Sequence, residues 1–212
     1  QNTPDALLVL GDTNSCLSAY SAKRLKIPVF HMEAGNRCFD QRVPEEINRK
    51  IVDSLADVNL PYSQISRSYL LAEGFDPAHI IVTGSPMYEV LNSNMSQIES
   101  STILKKMGFN KGQYIVASVH REENVDNSAV LREILSGLNQ ITIQHDLPVL
   151  FSVHPRTRNK IQQLDFKLNK NIIMSKPLGF FDYNHLQCNS TFVISDSGTI
   201  FEEASILNFK AL

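Results

Sequence analysis

The chain has 212 residues, 42% of them hydrophobic and 20% charged, with a formal net charge of −2 at pH 7. This length and composition allow one large domain or two small ones with a normal core, and they do not indicate disorder. The lack of a long basic run argues against a nucleic-acid partner held through its phosphates, and no apolar run is long enough to span a membrane.

Cysteine usage and the chain ends add two expectations. Cys16, Cys38 and Cys188 are widely spaced and odd in number. They fit neither a disulfide framework nor a C-x-x-C metal site, which favours a reducing compartment and a cytoplasmic location. The chain has no initial Met and ends as a further strand begins, so we expect a fragment of a longer protein that lacks both ends.

Short apolar runs alternate with stretches of helical periodicity, which predicts parallel strands joined by helices. The predicted strands are residues 6–10, 29–32, 58–60, 80–83, 114–119, 149–153, 171–174 and 191–195. The predicted helices are residues 15–25, 44–55, 64–73, 128–143, 157–164, 182–186 and 197–207. Thr13 or Asn14, Ser63 and Gly74 are the expected caps, and Pro44 suits a first helical turn.

A polar stretch rich in Asn and Ser, residues 92–101, interrupts this alternation. We place the domain junction there, so residues 1–91 are expected to belong to one domain and residues 92–212 to another. The predicted fold class is α/β, with two Rossmann-like parallel-sheet domains facing each other.

Three carboxylates are predicted at strand ends or a helix start, where open α/β sheets bind ligands. Asp12 follows the first strand, although it could instead cap the next helix. Glu33 closes an apolar strand, where burial without a partner is costly, and a salt bridge to Arg37 or Arg49 is the structural alternative. Glu45 could act chemically or only complement a helix dipole. Carboxylates sharing one cleft raise at least one pKa, which suits general acid–base chemistry.

Strand ends further along the chain carry cationic side chains. His120 and His154 each follow a predicted strand, and each could be a loop histidine or could stabilise a phosphate. Residues 195–204 read as a strand, a small-residue turn and a helix start, whose backbone N–H groups suit an anion. Glu202 or Glu203, about one turn along that helix, could accept hydrogen bonds from a ribose.

Nothing in these patterns calls for a cofactor or a metal. No glycine-rich dinucleotide fingerprint and no Walker motif is present, and the histidines lack metal-ligand spacing. We expect His31 to be structural. A small phosphorylated ligand is compatible with the charge, because it needs only a few local donors.

Six motifs then occur in order along the chain. They are Gly-Asp-Thr at 11–13, His-Met-Glu-Ala-Gly-Asn-Arg at 31–37, Pro-Glu-Glu-Ile-Asn-Arg at 44–49, Thr-Gly-Ser-Pro at 83–86, His-Arg-Glu-Glu-Asn at 120–124 and Asp-Ser-Gly-Thr-Ile-Phe-Glu-Glu-Ala at 196–204. With them the chain resembles the non-hydrolysing UDP-N-acetylglucosamine 2-epimerase family over essentially its whole length. The variants at 36–40 and 120–126 look most like the capsule and O-antigen branch, which forms UDP-N-acetyl-L-fucosamine from a 6-deoxy-talose precursor.

The resemblance implies a glycosyltransferase-B-like fold, an active site between the domains and a homodimer when the protein is full length. The residues it implies as catalytic are Asp12, Glu33, Glu45 and His120. Those it implies as binding the UDP-sugar are Arg121, His154, Tyr183, Ser197, Gly198, Thr199 and Glu203. Among these, the turn at 197–199 would hold the phosphates, Glu203 the ribose and Tyr183 the uracil.

The chemistry of such an epimerase accounts for the carboxylates. The proton on C2 is not α to a carbonyl, so direct deprotonation is implausible. The family's route eliminates UDP across C1–C2 to a glycal and then adds UDP back with the proton on the other face. That route needs a base, an acid and a site that retains UDP.

Other functions stay open at this point. A glycosyltransferase of the same fold would share the turn at 197–199 but would not need three carboxylates. A hydrolysing 2-epimerase would release UDP, and a nucleotide-sugar sensor would need no catalytic groups. We expect the 212 residues alone to be weakly active or inactive.

Overall fold

The fold is an α/β arrangement of parallel strands and helices, seen in a computed structural model that describes residues 3–212. The strands are β1 (Leu7–Leu10), β2 (Val29–Met32), β3 (Val58–Leu60), β4 (Ile115–Ser118), β5 (Val149–Ser152), β6 (Ile172–Ser175) and β7 (Val193–Ser195). The helices are α1 (Ser18–Arg24), α2 (Pro44–Leu55), α3 (Gln64–Ala72), α4 (Met87–Ser93), α5 (Met95–Glu99), α6 (Ile103–Met107), α7 (Glu122–Val125), α8 (Ser128–His145), α9 (Pro155–Gln163), α10 (Phe180–Asn189) and α11 (Ile200–Leu207). The predicted α/β class with parallel sheets is confirmed.

The chain divides into two compact units, one ending at Pro86 and the other running from Met87 to Leu212. The polar stretch at 92–101 is not a linker, because α4 and α5 cover most of it. Leu91, just before this stretch, and Ile98, within it, are buried, and α4 packs against α11 of the second unit. The predicted junction after residue 91 therefore falls inside α4, since two buried apolar side chains outweigh the polar composition around them.

The first unit contains a three-stranded parallel sheet in the order β1-β2-β3. Leu10 pairs with Met32, and Met32 pairs with Leu60, so the three strands end at one edge. The residues that follow β1 and β2 therefore emerge side by side. The predicted strand at 80–83 is reduced to an isolated bridge between Ile80 and Asn59.

The second unit contains a four-stranded parallel sheet in the order β6-β5-β4-β7. The central strand β4 is buried on both faces: Ile115 and Ala117 pack into one core cluster, and Val116 packs into another. Ser118 pairs with both Ser152 and Ser195, so β4, β5 and β7 also end in register. This register brings the residues after the three strands to one edge.

Several helix boundaries follow the sequence rules. Pro44 occupies the first turn of α2, and the Ser63 hydroxyl accepts a hydrogen bond from the Ser66 N–H at the start of α3. Thr13 does not cap through its side chain, and the predicted helix at 15–25 begins as a 3₁₀ turn at Asn14–Leu17 before α1. No helix within residues 3–212 is long and apolar enough to cross a membrane.

Candidate active site

Asp12 is held by an arginine from the neighbouring helix. Its carboxylate accepts hydrogen bonds from Arg49 Nε at 2.9 Å and from Arg49 Nη2 at 2.5 Å. The same guanidinium reaches Glu46 Oε2 through Nη1 at 2.9 Å. The Asn48 side chain, one turn along α2, donates to the Asp12 carbonyl oxygen at 2.9 Å. Asp12 is thus a fixed carboxylate at the end of β1, and not a helix cap.

Glu33 lies beside Asp12, and its backbone is in the left-handed region with φ of +68°. A methyl group added at Gly11 would come 3.2 Å from Glu33 Oε2, so the carboxylate packs against the turn that precedes Asp12. Burial raises the pKa of the Glu33 carboxyl, and the charge of Asp12 raises it further, while Arg49 opposes the rise. An acid whose pKa is raised in this way suits proton transfer near neutral pH.

In the described part of the chain, residues 3–212, Glu33 does not form the predicted alternative, a salt bridge to Arg37 or Arg49. Arg49 is engaged by Asp12 and Glu46, as described above. Arg37 is buried and pairs with Asp53 Oδ2 at 2.8 Å and with Glu73 Oε2 at 2.6 Å. The Glu33 carboxylate instead accepts a hydrogen bond from the Asn36 side chain at 3.1 Å.

Glu45 and Glu46 occupy different environments in the first turn of α2. Glu45 is exposed, and within residues 3–212 it makes no ion pair or side-chain hydrogen bond. Glu46 is fully buried and accepts the Cys38 N–H at 3.0 Å. Burial alone would raise the pKa of Glu46, but the hydrogen bonds from Cys38 and the charge of Arg49 lower it. Asp12 and Glu33 are brought together, whereas among residues 3–212 no hydrogen bond or ion pair joins Glu45 to either of them.

Asp196, directly after β7, organises the loop that follows β4. Its carboxylate accepts the His120 N–H at 3.1 Å and the Arg121 N–H at 2.9 Å. It also accepts the Asn124 side chain at 3.0 Å and lies 3.1 Å from His120 Nδ1. The imidazole is half-exposed.

His120 and His154 meet at one open cavity of about 240 Å³ in the second unit. The cavity is lined by His120, Glu122, Val125, His154, Arg156 and Thr157. His154 caps α9, because its Nδ1 accepts the Arg156 N–H at 3.3 Å. Arg156 forms an ion pair with Glu122, with Nη1 lying 2.9 Å from Oε1. The structure thus gives His154 a capping role in addition to its place beside His120.

The turn at 197–199 and Glu203 form a single hydrogen-bonded group at the start of α11. The Thr199 hydroxyl donates to Glu203 Oε1 at 2.7 Å, and the Gln187 side chain donates to Glu203 Oε2 at 3.2 Å. Ser197 Oγ lies 3.1 Å from Thr199 Oγ1. A methyl group added at Gly198 would come 3.6 Å from Arg121 Nη2, so that guanidinium lies beside the turn.

Tyr183 packs in the core of the second unit with its hydroxyl near Ser118 at the end of β4. Burial raises the pKa of the Tyr183 phenol, the hydrogen bond with Ser118 lowers it, and the charges of Glu203 and Asp196 raise it further. Tyr183 therefore lies within the same group of side chains as Glu203, partly buried.

Sequence reasoning missed three residues that hold this site: Glu46, Asp196 and Gln187. Glu46 stands three residues before Arg49 on a helix, a spacing that places the two on one face and could have suggested the pair. Asp196 belongs to the motif at 196–204, but the motif alone does not indicate that it holds the loop after β4. For the buried Gln187 the sequence offers no local signal. Within the described residues, no group of three or more His, Cys, Asp or Glu side chains is placed to hold a metal ion.

Comparison with known proteins identifies the family. The family model for UDP-N-acetylglucosamine 2-epimerase matches residues 1–212. The chain belongs to the UDP-N-acetylglucosamine 2-epimerase family. It is 36% identical to the UDP-2,3-diacetamido-2,3-dideoxy-D-glucuronate 2-epimerase of Pseudomonas aeruginosa, over 95% of this chain and 56% of that protein.

Two solved structures of 2-epimerases are similar to the chain throughout. A UDP-N-acetylglucosamine 2-epimerase from Rickettsia bellii is 46% identical with a TM-score of 0.89, over 98% of this chain and 55% of that one. The Methanocaldococcus jannaschii UDP-GlcNAc 2-epimerase, solved with UDP-GlcNAc and UDP, is 34% identical with a TM-score of 0.89, over 98% of this chain and 59% of that one. The chain thus spans less than two thirds of the length of these epimerases.

Proposed function

We propose that the complete protein is a UDP-N-acetylhexosamine 2-epimerase that inverts C2 by eliminating UDP to a glycal and adding it back. The observation that carries the proposal is the pair of adjacent carboxylates, Asp12 and Glu33, at the ends of neighbouring strands in a member of this family. One carboxylate can take a proton while the other, with a raised pKa, supplies one. The relatives named above are 2-epimerases of UDP-sugars, which supports the reaction class.

We assign retention of UDP to the second unit. The N–H groups at the start of α11 and the guanidinium of Arg121 suit a diphosphate. His120, held by Asp196, is placed to stabilise negative charge on a departing phosphate when protonated. Glu203 has a free lone pair on each oxygen beyond its internal hydrogen bonds, so it can accept two ribose hydroxyls.

The sugar, the setting and the assembly belong to the same proposal. The residues at 36–40 and 120–126 resemble those of the branch that forms UDP-N-acetyl-L-fucosamine. We therefore propose that the complete protein belongs to this branch and supplies capsular or surface polysaccharide synthesis. The three free cysteines favour a reducing, cytoplasmic compartment. We propose a homodimer for the complete protein, which light scattering of the purified protein would check.

The test follows C2 of the substrate by NMR in deuterated water. We would incubate the complete protein with UDP-N-acetylglucosamine and, separately, with the UDP-6-deoxy-L-talosamine derivative. Deuterium at C2 of an inverted, UDP-linked product supports elimination and re-addition, and the faster substrate identifies the branch. Transfer to an added acceptor would instead make the protein a glycosyltransferase, and free sugar with UDP would make it a hydrolysing epimerase.

Matched variants connect the reaction to the carboxylates. We expect Asp12→Asn and Glu33→Gln each to lower kcat by at least about 10²-fold, the usual contribution of a general acid or base. Glu133→Gln is the control, because Glu133 is exposed on α8 and makes no ion pair within residues 3–212. Full activity in both carboxylate variants would contradict the assignment.

A further inference from the structure

His31 is a fully buried histidine in the central strand of the first unit. It pairs in register with Val9 of β1 and Asn59 of β3. Its side chain shares the buried face of β2 with Val29, so an ionisable ring stands where an aliphatic side chain would be expected. A polar group at such a position needs hydrogen-bond partners for both ring nitrogens.

Both ring nitrogens of His31 face atoms that can only accept. Nδ1 lies 2.7 Å from Asp53 Oδ1, and Nε2 lies 3.1 Å from the Gly11 carbonyl oxygen. A neutral imidazole has one N–H and one lone pair, so one of these contacts would set a lone pair against an acceptor. Only the imidazolium donates to both.

The charges around Asp53 agree with a protonated ring. The Asp53 carboxylate accepts the Gly35 N–H at 3.2 Å and pairs with Arg37, which also pairs with Glu73. With a protonated His31 this cluster holds two cations and two carboxylates, and its charge is zero. With a neutral ring the net charge of these groups would be −1, carried by Glu73, whose side chain is 37% exposed.

The same pair connects the two turns that carry the proposed catalytic carboxylates. His31 Nε2 contacts the carbonyl of Gly11, the residue before Asp12. Asp53 contacts the N–H of Gly35, two residues after Glu33. We propose that His31 is a buried imidazolium that, together with Asp53, acts as a positioning residue for the Asp12 and Glu33 turns. This role rests on the function proposed above.

The positive charge has a consequence for Glu33. Glu33 faces the carboxylate of Asp12 and the guanidinium of Arg49, and His31 adds a second cation that lowers its pKa. His31 itself is faced by Asp53 of α2, and through Asp53 by Arg37. Removing the His31 charge therefore makes Glu33 a weaker acid, whichever step of the reaction Glu33 serves.

The first experiment measures the protonation of the ring directly. We would label the complete protein with ¹⁵N-histidine and assign His31 by comparison with His31→Gln. The proposal requires both ring nitrogens to carry protons at neutral pH, where an ordinary histidine has lost its charge. One unprotonated His31 nitrogen near pH 7 would overturn it.

The second experiment titrates the Glu33 carboxyl by ¹³C NMR in the unmodified protein and in His31→Gln, which keeps a donor but loses the charge. The expected result is a midpoint at higher pH in the variant, because the His31 charge lowers the pKa of the Glu33 carboxyl. His79→Gln is the control, because His79 is exposed in the same unit. An unchanged midpoint in a folded His31→Gln protein would contradict the positioning role.

The two proposals can fail separately. If the protein exchanges no deuterium at C2 but His31 is doubly protonated, the proposed epimerase function is refuted and the buried imidazolium is supported. If the protein is an active epimerase but His31 is neutral, only the proposed role of His31 is refuted. If the protein is active, we also expect the part of the kcat/KM pH profile that reports Glu33 to move to higher pH in His31→Gln. A purely structural defect would lower kcat/KM without moving the profile along the pH axis.

Discussion

At the scale of single residues, the most consequential side chains are those that hold others in place. Asp196 touches His120 through both the backbone and the ring, and Arg49 holds Asp12 while it also neutralises Glu46. The sequence predicts which groups could do chemistry, because most of them follow apolar strands, and their roles stay predictions. It could not identify the residues that hold these groups in place, such as Asp196 and Arg49, because their contacts depend on which strand ends become neighbours.

We expect Asp196→Asn to lower kcat by about 10²-fold, since the loop carrying His120 loses a charged acceptor and a shift of about 1 Å at a reacting group has that effect. Steady-state kinetics of the complete protein measures it. Asp5→Asn is a suitable control, because Asp5 is exposed and makes no ion pair within residues 3–212. Unchanged kcat and an unchanged pH profile would show that Asp196 does not position His120.

Gly35 offers a stability prediction with a control of opposite sign. Its φ is +75°, and an added methyl group would collide with the Ser66 carbonyl oxygen, so Gly35→Ala is expected to destabilise by more than the 1–2 kcal/mol that left-handed backbone costs. Gly137 lies in α8 with open space for a methyl group. Gly137→Ala should therefore stabilise by about 0.5–1 kcal/mol. Urea unfolding measures both, and equal effects would contradict the argument.

At the scale of elements, the strands and the longer helices followed from the sequence. Residues 29–32 and 58–60 were predicted with the observed bounds, because short apolar runs between turn residues leave few alternatives. The short helices α4 to α7 were missed. Such helices form because one or two side chains, such as Leu91 and Ile98, bury against the rest of the unit, and a short polar sequence does not reveal that packing.

The cap of α8 gives a prediction for one element. Asn127 accepts the N–H groups of Ala129 and Val130 at 3.0 and 3.3 Å. Asn127→Ala should destabilise the protein by about 1 kcal/mol, the usual value of an N-cap. Thr102 occupies the cap position of α6 without a side-chain hydrogen bond to that helix, so Thr102→Ala should cost clearly less. Thermal unfolding followed by circular dichroism compares the two, and a reversed order would refute the capping role.

At the scale of the whole molecule, two carboxylates should shape the acid stability in opposite directions. The pKa of Glu46 is lowered in the folded state, so its contribution to stability is present at neutral pH and is lost as the pH falls below the ordinary value of 4.5. The pKa of Glu33 is raised, so its ionisation destabilises the fold as the pH rises above 4.5.

We therefore expect Glu46→Gln to lower the unfolding temperature at neutral pH and to flatten its decline in acid. Glu33→Gln is expected to raise the unfolding temperature at neutral pH while it removes activity, as with other groups kept for function at a cost in stability. Calorimetry from neutral to acid pH measures both. A stabilising Glu46→Gln or a destabilising Glu33→Gln would contradict the signs argued here.

The division of the chain was the least predictable feature at this scale. The sequence indicated two units, and the structure divides after Pro86 because the segment that follows is anchored by buried side chains of the second unit. Of the candidate site, the sequence located the turns after β1, β2, β4 and β7. It could not show that Glu45 is exposed and Glu46 buried, since both stand in the same helical turn and only packing separates them.

The contact between His120 and Asp196 also bears on how the protein is made. The two residues follow neighbouring strands of the sheet but lie 76 positions apart in the sequence. Because a chain is synthesised from its N-terminus, the loop after β4 leaves the ribosome long before its acceptor exists. The loop that carries His120 can therefore reach its final form only after β7 has joined β4, late in the maturation of the second unit.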